Sequence, residues 1–192
     1  IIVNIQLKKY GGDLAIGAYG IINSIAFTFV MIILGLTQGM QPIIGYNYGA
    51  KLQHRVLSTL KKGMIAGFVI TTIGFLVAEL CPRLIASAFT NDEEMINLSI
   101  TGFRLFMLAF PIVGMQIVAS NFFQAIGKAK IAIFLSLTRQ LLFLIPALYL
   151  IPLILELNGV WLSTAVADFL SAFVSLWVLV ASIKKMKKDI SL

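Results

Sequence analysis

Two stretches without a single charged side chain constrain this sequence more than anything else in it. Leu14 to Ala50 holds no Lys, Arg, Asp or Glu, and neither does Leu105 to Gly127. About 20 consecutive apolar residues in a helix cross the hydrocarbon core of a bilayer, so each run is long enough to span one. A soluble core would need a polar coat, and the composition does not supply it. Only 12% of the 192 residues are charged and 59% are hydrophobic, against roughly 25% charged in an ordinary soluble domain. Mean hydropathy is +0.97. The expected fold class is all-α, a polytopic transmembrane helix bundle.

The apolar pattern divides into five full spans, at residues 15–45, 63–81, 96–122, 130–152 and 158–183, with a stub at 1–7 before them. The stub begins with Ile and has neither a basic leader nor a cleavage site, so it is not a signal peptide. It reads as the tail of a truncated first helix, and the chain as a fragment. The gaps, Lys8–Asp13, Lys51–Lys62, Pro82–Glu94, Gly127–Lys130 and Pro152–Gly159, are too short to separate soluble domains. Alternate gaps differ in charge. One side carries Lys51, Arg55, Lys61, Lys62, Lys128, Lys130, Lys184, Lys185, Lys187 and Lys188; the other carries Lys8, Lys9 and Arg83. Cytoplasmic loops collect the excess of Lys and Arg, so the first set, the tail at 184–192 and the C-terminus are expected in the cytoplasm. The Asp92-Glu93-Glu94 run is then an outer, solvated turn. The net charge of +7 lies in these gaps, not on one solvated face as nucleic-acid binding requires, so no nucleic-acid partner is expected. Cys81 is the sole cysteine, which excludes an intrachain disulfide.

Three prolines, Pro42, Pro111 and Pro146, fall inside spans. Each removes a helix hydrogen bond and predicts a bend. Gly35/Gly39, Gly45/Gly49 and Gly63/Gly67 have the small-residue spacing that lets membrane helices approach closely. A short echo, Gly39-Met40-Gln41 and Gly114-Met115-Gln116, hints at an internal repeat, with Ala50 and Ala125 at matching offsets. Polar groups in hydrocarbon are costly and face a bundle interior or a cavity. The first span is rich in them, with Asn23, Ser24, Thr28, Thr37, Gln38, Gln41 and Asn47. These either line a wet pathway or bond to neighbouring helices. Gln116 and Asn121 belong to the same class on the 96–122 span.

Four ionisable residues lie within spans. Glu79 and Arg104 are near outer ends, where their side chains can reach the interface. Arg139 sits ~13 Å above the cytoplasmic start of its span and Asp168 ~22 Å above the cytoplasmic end of the next. Their comparable depth on antiparallel neighbours predicts a charge pair, structural or part of a transport site. Catalytic patterns are not expected here. His54 is the sole histidine, and neither a metal-ligand cluster nor a nucleotide-binding glycine fingerprint occurs. No enzyme activity and no cofactor are expected, and transport by such a chain would be secondary.

The run Gly35-Leu36-Thr37-Gln38-Gly39-Met40-Gln41-Pro42-Ile43-Ile44-Gly45-Tyr46-Asn47-Tyr48-Gly49-Ala50, followed by Arg55-Val56, resembles the signature of the multidrug-and-toxin-extrusion (MATE) family. Further stretches match in order: Gly11–Ala15, Phe89–Asp92, Phe123–Ala129, Arg139-Gln140, Asn158–Trp161 and Ala167-Asp168. The resemblance covers essentially the whole chain and maps it to helices 7 to 12, so that 1–183 would be the C-terminal six-helix lobe. It implies a partner N-terminal lobe and export of drugs or small organic cations in exchange for H⁺ or Na⁺, in a bacterial cytoplasmic (inner) membrane. Some branches carry acids in helices 7 and 10; here the 96–122 span has no Asp or Glu, which argues against a sodium site of that design. The alternative implied by the same superfamily is a lipid-linked oligosaccharide flippase. The pathway candidates are Asn23, Gln38, Gln41, Asn47, Gln116, Asn121, Arg139 and Asp168.

Overall fold

A computed structural model of the chain describes residues 2–188, with side chains through Met186. Ile1, residues 189–192 of the expected tail, and the side chains of Lys187 and Lys188 lie outside the described residues. The described residues are helical throughout, joined by short turns: α1 (Ile2–Gly49), α2 (Gln53–Leu80), α3 (Pro82–Ser87), α4 (Glu93–Phe106), α5 (Phe110–Ala125), α6 (Ala129–Leu137), α7 (Ile145–Leu150) and α8 (Pro152–Lys188). A 3₁₀ turn at Met107–Ala109 joins α4 to α5, and a π turn at Thr138–Leu144 joins α6 to α7. Counting those as continuous, five helices are long and apolar enough to cross a membrane. The chain is thus an all-α integral membrane bundle. Its outer surface is apolar, with Tyr46, Ile154, Phe173 and Trp177 among its exposed side chains.

Helical structure invades the gaps. Lys8 to Gly11 are helical, and the stub is joined to the first full span through one non-helical residue, Gly12, at φ 66° and ψ −161°. That backbone region is open essentially to glycine alone, which is why the break is confined to one position. Arg55, Lys61 and Lys62 lie on the first turns of α2, not in a loop. The 82–94 gap contains α3, and Asp92 is the N-cap of α4, its carboxylate accepting from the N–H of Glu94 at 2.9 Å and of Met95 at 3.2 Å. Glu93 and Glu94 then occupy the first turn, where negative charge meets the positive end of the helix dipole. The acidic run is therefore a helix start as well as a solvated surface. The last helix begins at Pro152, breaks at Glu156 (φ 49°) and runs past residue 183 without interruption.

The three prolines behave differently. Phe110 donates its N–H to the carbonyl of Met107, three residues back, so the 3₁₀ turn satisfies the acceptor that Pro111, lacking an N–H, leaves unpaired. Ahead of Pro146 the helix widens, and Ile145 donates to Gln140 five residues back. At Pro42, where the sequence predicts a bend, the backbone stays helical to Gly49. One missing bond in a long helix is not enough to break it here.

Of the glycine pairs, only Gly63/Gly67 acts as a close-packing pair on both residues. A Cβ on Gly63 would collide with Met40, and one on Gly67 would stand 3.0 Å from the carbonyl of Gly114. Gly35 and Gly39 face open space. Thr71, one turn beyond Gly67, places its hydroxyl 2.8 Å from the carbonyls of both Gly67 and Pro111, which ties α2 to α5 beside the proline. Two apolar clusters result. One joins Leu7, Ile22, Phe103, Phe106, Phe110 and Trp161; the other joins Ile33, Ile44, Val56, Phe122, Leu135 and Leu179. Residues 139 and 168 fall between the two in sequence on both of their helices.

Candidate functional site

Between the two clusters lies a cavity of about 460 Å³, walled by α1, α5, the π turn and α8. Its apolar walls include Phe27, Val30, Phe106, Phe110 and Val113; its polar residues are Asn23, Gln116, Ser120, Asn121, Ser136, Arg139, Gln140 and Asp168. The volume is in the range of small-molecule sites, about 300–1,000 Å³. A second cleft of about 320 Å³ shares Ser120, Asn121 and Ser136 and extends along α5 and α6 to Gln124 and Ala129.

The charged centre of the cavity is the pair predicted from depth. Arg139 Nε donates to Asp168 Oδ1 at 2.5 Å. The π turn carries Arg139 and Gln140 into the cavity, and single π turns inside helices occur frequently at functional sites. Asp168 comes from the middle of α8, where the helix is lined by small residues: Thr164, Ala165, Ala167, Ser171 and Ala172 are all buried. Small neighbours let α8 come close enough for a short carboxylate to reach a long guanidinium. The other two intramembrane charges also pair with each other, Arg104 Nε standing 3.7 Å from Glu79 Oε1. Their positions near span ends predict that each reaches the interface alone; in the structure they reach each other.

Five of the eight pathway candidates meet in this cavity: Asn23, Gln116, Asn121, Arg139 and Asp168. Gln38 and Gln41 do not; both are exposed on the far part of α1. Gln41 borders only a minor crevice of about 10 Å³. Asn47 is buried near the C-terminal end of α1, where its Nδ2 donates to the carbonyl of Ile43 at 2.7 Å. Neither alternative for the polar residues of α1 describes them all. Ser24 and Thr28 bond to carbonyls four residues back on their own helix, at 2.8 and 2.9 Å, a local solution open to hydroxyls in helices. Asn121 does the same to Ile117 at 2.9 Å.

Sequence reasoning missed Ser120, Ser136 and Gln140 as cavity residues. Their signal was spacing: Gln116/Ser120 and Ser136/Gln140 are four apart, on one face of their helices. Among the described residues no group of three or more His, Cys, Asp or Glu side chains is placed to hold a metal ion.

Residues 1–150 match the MatE family model. The multidrug export protein MepA of Staphylococcus haemolyticus (strain JCSC1435) is 24% identical over 189 residues, which is 98% of this chain and 41% of that protein. The solved MATE multidrug transporter DinF-BH is 35% identical, with a TM-score of 0.80 over 91% of this chain and 39% of its own. A multidrug resistance MATE family transporter of the MOP superfamily, solved in an outward-facing conformation, shares the fold with a TM-score of 0.90 at 19% identity, over 97% of this chain and 42% of its own. The chain spans about two fifths of the length of the relatives it matches.

Proposed function

This chain belongs to the MATE family, and we propose that it forms the C-terminal lobe of a multidrug efflux transporter that exports drugs or organic cations in exchange for H⁺ or Na⁺. Residues 1–183 make up the lobe in this reading, and 184–192 a basic segment on the cytoplasmic side of a bacterial inner membrane. The observation that carries it is the cavity: a drug-sized, polar-lined space with a buried charge pair, inside a bundle whose exterior is apolar. Polar groups in the hydrocarbon layer mark substrate and ion pathways. The names of the relatives, multidrug export proteins and multidrug transporters, favour drug efflux and lend nothing to the flippase alternative.

The partner lobe, in this reading, lies against the open face of α1. There Gln38 and Gln41 are exposed beside Gly35 and Gly39, which meet no neighbour, and Tyr46 is 78% exposed. A half-cavity cannot alternate access alone, so the chain needs that lobe to transport. The test is a chimera in which the matching part of S. haemolyticus MepA is replaced by this chain, expressed in an efflux-deficient host. Ethidium export by the chimera, and none by the chain alone, is the expected result. Collapse of export by an uncoupler points to H⁺, and collapse on sodium omission to Na⁺. A folded, membrane-inserted chimera that retains ethidium like the empty host refutes the reading.

A further inference from the structure

Both members of the charge pair line the cavity, but Arg139 is the more open of the two. The Asp168 side chain is 6% exposed and that of Arg139 is 39% exposed. Arg139 commits Nε to Asp168, and among the described residues its guanidinium makes no other hydrogen bond. A guanidinium has five N–H donors, so the four on its two Nη atoms are left for whatever enters the cavity. The other polar residues of the wall are neutral amides and hydroxyls. One of them, Gln116, is 6% exposed, and its Oε1 is a buried acceptor without a partner.

We propose that Arg139 and Gln116 form a subsite for zwitterionic organic molecules, the carboxylate held by the guanidinium fork and an N–H donor held by Gln116 Oε1. This deepens, and rests on, the reading of the cavity as a drug site. A carboxylate is expensive to strip of water unless it is paired, so amides alone would reject it. The planar guanidinium accepts it through two parallel N–H···O bonds. The charge balance selects the zwitterion over a simple anion. Arg139 and Asp168 sum to zero, so a ligand with no net charge leaves the cavity neutral, while a simple anion adds an uncompensated charge.

The experiment compares two dyes that differ at one group, rhodamine 19, a zwitterion with a free carboxylate, and its ethyl ester rhodamine 6G, a cation. Binding to the chain in lipid nanodiscs is read by fluorescence anisotropy. The free acid is expected to bind about tenfold more tightly, the worth of one charged hydrogen-bonded contact. The double variant Arg139→Gln/Asp168→Asn, which strands no charge, should bind both dyes equally. Arg139→Lys keeps the ion pair but not the fork, and should cut the preference to about twofold. Gln116→Leu should weaken both dyes alike, since both carry the ring-amine N–H, and should leave the preference intact. Equal binding by the native chain, or tighter binding of the ester, overturns the carboxylate subsite and leaves the drug site standing. A preference that survives in the double variant or in full in Arg139→Lys overturns its assignment to Arg139. Unchanged affinity in Gln116→Leu overturns the second contact. Binding of neither dye overturns both this inference and the drug-site reading.

Discussion

Asp168 is the one charged residue buried among the described residues of the bundle. Its carboxylate is almost wholly buried and Arg139 is its sole ion-pair partner among the described residues. Removing one member of a buried pair costs about 3–5 kcal/mol, because the other charge is left without compensation. Arg139→Gln and Asp168→Asn are therefore each expected to lower the amount of folded protein, measured by fluorescence-detected size exclusion. The exchange Arg139→Asp/Asp168→Arg should recover it. Full yield from either single variant, with recovery by the exchange absent, would mean that the pair is not structural and would favour a proton-carrying Asp168. The pairing itself was legible in the sequence, since depth and opposite charge on successive antiparallel helices were enough to predict it. Which member is the more exposed was not, because that depends on how far α8 approaches the π turn.

Among the elements, α2 and α5 cross closely enough to leave no room for a Cβ on Gly114. Gly67 and Gly114 meet backbone to backbone, and a Cβ on Gly114 would collide with the carbonyl of Gly67 and the hydroxyl of Thr71. Overpacking typically costs about 1–3 kcal/mol, and here the obstacle is main chain, which cannot rotate away. Gly114→Val should lower the thermal unfolding midpoint more than Gly35→Val, whose site is open. Equal midpoints would contradict the packing. Gly12 offers a test of a different kind. A Cβ there meets nothing within 4 Å, so Gly12→Ala costs only what the positive φ imposes, about 1 kcal/mol or more. A midpoint unchanged from the native protein would show that the break relaxes freely. The sequence pointed to the Gly63/Gly67 spacing but equally to Gly35/Gly39. Spacing alone identifies a smooth face and does not say whether another helix reaches it.

The bundle has a direction in the membrane. Ten Lys and Arg in the gaps and tail of one side stand against three on the other, from which we propose that the α4 start lies outside. Cys81 is exposed and free, so a labelling test first needs Cys81→Ser. In that background Asp92→Cys is expected to react with an impermeant maleimide added to intact cells. Labelling only after the cells are opened would invert the topology. Several of the counted charges, Arg55, Lys61 and Lys62, turn out to sit on helix rather than in a loop. The count survives this because the rule concerns which end of a span is basic, not whether its backbone is coiled.

The class of fold, the number of full spans and the membership of a charge pair could all be read from the order of residues. They follow from the length of apolar runs and from the cost of an unpaired charge in hydrocarbon, both of which are local or nearest-neighbour properties. Which polar residues share a cavity emerged only once the helices were packed. Gln38 and Asn23 lie on the same helix and read alike as letters, yet one faces the open surface and the other the cavity wall. The difference is made by α5, α8 and the π turn converging on one stretch of α1 and not on the other, an arrangement set by close approach between distant segments such as Gly67 and Gly114. Local periodicity carries no information about that convergence.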